Sequence, residues 1–257
     1  MPRGARSISK SGYYHVMVRG VGKQLLFLDD SDHLKYLKTL AAKTRDNNVT
    51  LIAWCLMDNH VHLLPQGKLP DIANTMKALG ISYTAYFNKK TDRVGPLFQG
   101  RYKSFPIESD AYLLDAVRYI HDNPVKSGVG PRETYEWSSY REYLGEAFLI
   151  NPTVILSMLG GTEGFLDFSN SKKPIEYHVP PEKNMTTEEL AEIAASTLSG
   201  MDAMKIAALP IVQRRNAIQG LITEGFSTSQ IQRLTGIGRT AIESCREQFG
   251  VRPQIAG

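Results

Sequence analysis

The chain has 257 residues, 42% of them hydrophobic and 22% charged, the balance of a soluble globular protein with one large domain or a medium one plus a small one. No window approaches the roughly 18 apolar residues of a membrane span, and the basic start MPRGARSISKSGYYH lacks the apolar core of a secretory signal, so a cytoplasmic protein with no membrane partner is expected. Two distant cysteines, Cys55 and Cys245, exclude a disulfide framework and a cysteine zinc cluster, and the net charge of +4 is uneven, +5 over residues 1–150 and −1 over 151–257.

YYHVMVRG alternates and predicts a strand at about 13–19. DSDHLKYLKTLAAKTRDNN spaces Leu34, Leu37 and Leu40 as a helix behind the capping candidates Asp30, Ser31 and Asp32. VTLIAWCLM reads as a strand that NHVHLLPQ continues or pairs with, and Cys55 inside it reads as a small core residue. LPDIANTMKALGISYTAYFNKK predicts a helix with Ile72, Met76, Leu79 and Tyr83 on one face. A basic loop through Gly95-Pro96 and Gly100 leads to a strand near YKSFPI; ESDAYLLDAVRYIHDNP is then a helix capped near Ser109 and stopped by Pro124. The order β-α-β-β-α-β plus one helix predicts an α+β domain over residues 1–150, a ferredoxin-like split βαβ antiparallel sheet.

Residues 151–184, with GGTEGF and SNSKKPIEYHVPPEKN, are rich in Gly, Pro, Ser and Lys and read as a linker. Residues 185–257 read as a small all-α domain opened by Thr186 and Glu189 at capping-box spacing. Its end, FSTSQIQRLTGIGRTAIESCREQFG, predicts two short helices about a Gly236-Ile237-Gly238 turn, with Ile231, Leu234, Ile237 and Ile242 between them. That is the pattern of a helix-turn-helix whose second helix starts near Arg239 and Thr240; a small bundle that binds nothing fits the same pattern.

On a strand, residues i and i+2 share a face, so His60 and His62 project together while Val61 faces the other way. Paired imidazoles fill a core poorly and bind metals well, although an isolated His-x-His is often only a half-exposed pair. On the helix 109–123, Leu113, Leu114, Val117 and Ile120 share one arc at about 100° per residue. Tyr119 falls opposite that arc beside Asn123, Tyr112 and Asp115. It is a surface or packing tyrosine, or, next to the histidine strand, a nucleophile with an amide oxygen at hand for a metal. The rival tyrosines are weaker: Tyr83 continues an apolar stripe, and Tyr13, Tyr14 and Tyr86 lack a neighbouring ligand. The basic stretch from Lys77 to Lys103 sets Lys89, Lys90, Arg93, Arg101 and Lys103 among Tyr83, Tyr86, Phe87, Phe98 and Tyr102. It suits a nucleic-acid surface and equally a solvated helix end and loop.

YHVMVRGVGKQLLF (14–27), CLMDNHVHLL (55–64), GPLFQGRYKS (95–104), RYIHDNPVKSG (118–128) and YEWSSYREYLG (135–145) together resemble the single-tyrosine HUH transposases of the IS200-like, REP-associated type. The blocks keep that family's order; Asp58 stands where many members have Pro, and Asn123 where simpler relatives have Gln. The resemblance implies a metal-dependent single-stranded DNA endonuclease and strand transferase acting beside hairpins or palindromic repeats. In it His60, His62 and Asn123 hold Mg²⁺ or Mn²⁺, and Tyr119 attacks phosphorus to leave a 5′-phosphotyrosine and a 3′-hydroxyl. Lys89, Lys90, Arg93, Arg101, Lys103 and Arg19 are then candidates for the DNA backbone. The last helices resemble the helix-turn-helix of the replication initiator DnaA, which implies duplex DNA contacts by Arg239, Thr240 and Arg246. Family members act as monomers or as homodimers. A catalytically silent DNA-binding regulator of the same descent is the alternative; a replication initiator or relaxase is a variant of the enzyme reading. An RNA-binding ferredoxin-like domain is disfavoured by the lack of paired aromatics on the central strands.

Overall fold

Period-two burial dictates the sheet. In the computed structural model, which describes residues 6–145, 147–171, 173, 175, 177 and 187–248, β1 is Tyr13–Arg19, β2 Thr50–Met57, β3 His60–Gln66 and β4 Lys103–Ile107. They lie in the order β2-β3-β1-β4 with every neighbouring pair antiparallel. Helix α1 (Asp30–Asp46) links β1 to β2, and α2 (Leu69–Thr91) links β3 to β4. This is the expected split βαβ arrangement.

One face of the sheet carries Tyr14, Val16, Val61 and Leu63, all buried, beneath α1 and α2. Tyr36 and Tyr83 meet edge to face there with centroids 4.9 Å apart, and the Tyr83 hydroxyl donates to the Leu26 carbonyl at 2.7 Å, which makes Tyr83 core. The other face carries His15, Met17, Arg19, His60 and His62 and receives α3 (Asp110–His121). Ser109 caps α3 by accepting from the Tyr112 amide at 3.2 Å. The helix stops two residues earlier than the spacing suggests. Pro124 cannot continue it, and Asn123 starts a separate turn, α4 (Asn123–Lys126).

The first part of the stretch expected to be a linker, residues 151–170, is largely helical, and 178–184 lie outside the described residues. That first part holds α5 (Thr153–Leu159) and α6 (Thr162–Asn170), with Ile155 and Phe165 fully buried. Phe165 stacks on Tyr143 at 4.5 Å and meets His121 edge on at 6.1 Å. Its glycines serve a tight helix-to-helix turn rather than a tether. Gly160 and Gly161 have φ of 78° and 103°, and a Cβ on Gly164 would lie 1.7 Å from the Leu159 carbonyl oxygen. The chain divides into two compact units, residues 1–177 and 178–257.

Residues just ahead of α5 seal the outer edge of β2. Leu56 donates to Trp137, Ser139 to Trp54 and Asn151 to Leu51, backbone to backbone, at 2.8, 2.9 and 2.8 Å. The buried Glu142 carboxylate holds the segment in place. It accepts from the Trp54 indole at 2.7 Å and from the amides of Phe148, Leu149 and Ile150 at 2.8, 2.5 and 3.0 Å.

In the second unit α7 (Thr187–Thr197), α8 (Ile211–Thr223), α9 (Thr228–Thr235) and α10 (Arg239–Gln248) enclose a core that includes Ile231, Leu234, Ile237 and Ile242. Ser227 and Gln230 form a capping box on α9, and Gly236 ends it in the left-handed region at φ 71°. The two-helix pattern about this turn is therefore present. Thr186 and the side chains of Glu189 and Arg246 lie outside the described residues.

Glu142→Ala strips one carboxylate from four donors and is expected to destabilise the first unit by about 3 kcal/mol, since hydrogen bonds to charged groups are strong and orphaned buried donors are costly. Both tryptophans, Trp54 and Trp137, lie in this unit, so urea unfolding followed by tryptophan fluorescence reads the effect directly.

Candidate active site and metal centre

The pairing of β1 with β3 sets Met17 opposite His62 and Arg19 opposite His60. Side chains at directly opposed positions share a face, so Arg19 stands beside the histidine pair. The His60 and His62 rings are perpendicular with centroids 4.9 Å apart. His60 Nδ1 lies 2.7 Å from the Asn59 side-chain oxygen, and the Asn123 side chain is close enough to the His60 imidazole to influence its protonation. Asn123 is itself fixed, because its amide nitrogen donates to the Tyr119 and Ile120 carbonyls at 2.9 and 3.2 Å. The half-buried Tyr119 ring lies 5.9 Å from that of His62 and 5.8 Å from that of His15. His60, His62, Tyr119 and Asn123, from β3, α3 and α4, thus meet on one face.

Electrostatics favours neutral imidazoles. Burial, with the charge of Arg19 behind it, lowers the pKa of His60 to about 4. His62 is held well below the ordinary histidine value by burial first and then by its neighbours His15, His60, Lys126 and Arg19. Burial lowers His15 to about 3 and raises the Tyr119 phenol. At neutral pH each imidazole keeps a lone pair. Asn59 occupies Nδ1 of His60 and His15 occupies Nδ1 of His62 at 2.8 Å, which leaves both Nε2 atoms as ligands. Among the described residues no three His, Cys, Asp or Glu side chains gather as a ligand set, so the Asn123 amide is the third protein donor in reach. Two imidazoles and an amide fit a divalent ion that keeps water or phosphate oxygens in its shell.

The basic residues separate into groups. Arg19 and Lys103, which is opposite Met17 on β4, share the histidine face. Lys89 and Arg93 are exposed at and beyond the end of α2, in the helical layer on the other face. Lys90 is held by Asp29 and Asp32 at 2.7 Å each, and the Tyr86 hydroxyl donates to Asp32 at 2.9 Å. Lys90 therefore clamps the end of α2 to the start of α1. Arg101 lines a groove with Lys77, Phe98 and Tyr102 on the Val18 side, away from the histidines. His121, packed on Tyr140 and bonded to Ser139 Oγ at 2.9 Å, and Asp122, paired with Arg132 at 2.6 Å, turn away from Tyr119. In the second unit Arg239 and Thr240 are exposed at the start of α10, with Arg239 paired to Glu243 at 2.7 Å.

The structure adds three site neighbours that the sequence reading did not single out. Lys126 places Nζ 4.0 Å from the Tyr119 ring centroid. His15 and Tyr177 are fully buried and bonded to each other at 2.5 Å. The alternation of YYHVMVRG places His15 on the same face as Arg19, a usable signal; nothing local marks Tyr177.

Residues 8–123 match the model of the transposase IS200-like family, and the matched stretch holds His60, His62, Tyr119 and Asn123. Among solved structures the chain is similar to a REP-associated tyrosine transposase bound to a REP hairpin, at 15% identity and a TM-score of 0.53, over 72% of this chain and all of that one. It is also similar to a candidate transposase from Deinococcus radiodurans, at 22% identity over 48% of this chain and 95% of that one, with a TM-score of 0.32. No curated protein matches the sequence. The first likeness supports the α+β fold; the family match ends at Asn123 and leaves the second unit outside it.

His15, His60 and His121 have folded pKa values of about 3, 4 and 3, against about 6.5 for a free imidazole. Below pH 6.5 the unfolded chain binds more protons than the folded one, so stability falls as pH falls towards 4. The metal-free protein is expected to lose a few kcal/mol between pH 7 and pH 5. Urea midpoints at constant ionic strength check this, and a flat profile over that range would contradict it.

Proposed function

We propose that the first unit is a metal-dependent nuclease and strand transferase that breaks and rejoins single-stranded DNA through Tyr119. The observation that carries this reading is the convergence of Tyr119 with His60, His62 and Asn123 on one sheet face within a stretch of the transposase IS200-like family. Mg²⁺ or Mn²⁺ on His60, His62 and Asn123 would supply Lewis-acid polarisation of a phosphate oxygen. Arg19 adds fixed positive charge beside His60, and Lys103 adds more on β4, so a phosphodiester is drawn to this face. The Tyr119 oxygen attacks phosphorus and the bond to the 3′ oxygen breaks. The products are a 5′-phosphotyrosine and a 3′-hydroxyl, with the phenolic proton balanced on the released oxygen through solvent. Burial opposes loss of that proton, and the Lys126 ammonium 4.0 Å from the ring centroid is the nearby cation that would stabilise the phenolate as it forms. One phosphoester replaces another, so rejoining needs no nucleotide.

The hairpin bound by the REP-associated transposase makes single-stranded DNA beside a hairpin the substrate to test first. The second unit is proposed to bind duplex DNA through the start of α10. Arg239→Ala is expected to weaken duplex binding about fivefold and to lower its salt dependence, as loss of one phosphate contact does.

Labelled hairpin oligonucleotides from repeats near the protein's own gene, incubated with Mn²⁺ or Mg²⁺, are expected to give a covalent adduct on denaturing gels. Tyr119→Phe should abolish the adduct and keep DNA binding. His62→Ala should lower its rate at least about 100-fold, the scale of several kcal/mol of lost charge stabilisation. Tight binding without adduct across substrates and metals would overturn the enzyme reading and leave a DNA-binding regulator.

A further inference from the structure

Behind the metal-facing edge of His62 runs a buried chain of hydrogen bonds. His62 Nδ1 lies 2.8 Å from His15 Nε2, and His15 Nδ1 lies 2.5 Å from the Tyr177 hydroxyl. The two imidazoles stack at 5.0 Å with 22° between their planes. His15 and Tyr177 are both at 0% exposure, so water cannot replace either partner. We propose that His15 and Tyr177 are positioning residues for the metal centre, holding His62 in the one rotation and tautomer that presents Nε2 to the ion. The inference rests on the reading of His60, His62 and Asn123 as metal ligands.

A neutral imidazole has one N–H and one lone pair. If Nε2 of His62 is to ligate, Nδ1 must carry the proton and donate it to His15 Nε2. His15 must then carry its own proton on Nδ1 and donate to Tyr177, whose oxygen can accept. The reverse order puts a proton on His62 Nε2 and closes the site. An orienting partner on the far nitrogen of a ligating histidine sets tautomer, ring direction and basicity, and its loss weakens metal binding about 10- to 100-fold.

Tyr177 reaches this position from well beyond the part of the chain that the family model matches. The Arg118 guanidinium donates to the Ser171 and Lys173 carbonyls at 2.5 and 2.9 Å and steers the segment back over α3. The ring then wedges between His15 at 5.4 Å, Tyr112 at 4.6 Å and Tyr119 at 5.4 Å. Packing alone would need the ring and not the hydroxyl, which is what a test can separate.

The test titrates Mn²⁺ into the metal-free full chain by calorimetry, with no DNA present. His62→Ala should abolish uptake at this site. His15→Phe, which keeps a flat ring and removes both nitrogens, should weaken Mn²⁺ about 10- to 100-fold. Tyr177→Phe removes only the hydroxyl and should weaken it about threefold or more with a near wild-type unfolding midpoint, which keeps the inference testable should His15→Phe misfold. Wild-type affinity in both ring variants, with uptake lost in His62→Ala, would overturn the inference alone. Equal uptake by wild type and His62→Ala would overturn the metal-ligand reading and the inference with it.

Discussion

The antiparallel register of β1 on β3 is the constraint on which the site depends. With Met17 opposite His62 and Arg19 opposite His60, alternate residues of both strands divide into two sets. Val16, Val61 and Leu63 sit at 0–1% exposure under the helical layer, and the opposite set carries His15, Arg19, His60 and His62. A slip of one residue would send the imidazoles into the apolar layer and the valines to the site. Burying the valines therefore fixes where the chemistry stands. The polar face gains its geometry from the apolar face behind it.

The same burial acts in opposite senses on the two kinds of functional group. Desolvation disfavours charge, so it keeps His15, His60 and His62 neutral and able to donate lone pairs, and it also keeps the Tyr119 phenol protonated. In the proposed reading, a dry site suits metal-ligating imidazoles and holds back the phenol. Only added positive charge, from a bound cation together with Arg19 and Lys126, would favour ionisation of Tyr119, since a phosphodiester itself brings negative charge.

Much of this was legible in the sequence because it is periodic. The strand alternation in YYHVMVRG and NHVHLL, the arc of Leu113, Val117 and Ile120, and the Tyr119–Asn123 spacing all report local geometry. One expectation failed for an identifiable reason. Composition made 151–184 look like a linker, yet the glycines at its start are demanded by the turn between α5 and α6, where Gly164 has no room for a Cβ. The bonds from Lys90 to Asp29 and Asp32, 61 and 58 residues away in sequence, have no local pattern to read. The bond from Tyr177 to His15 spans 162 residues and has no local pattern to read.

A four-stranded sheet with two helices on one face and α3 on the other still leaves the outer edge of β2 unprotected, and an uncovered edge invites pairing with another chain. Residues beyond Asn123 cover that edge and pack behind α3. Residues 137–151 satisfy the β2 edge and are pinned by Glu142. Helix α6 closes over His121 through Phe165, and the stretch after it delivers Tyr177 to His15 behind the ligand pair. Separate contacts beyond the family-matched stretch thus support the β2 edge and the His15–His62 pair, through residues that neither strand contains.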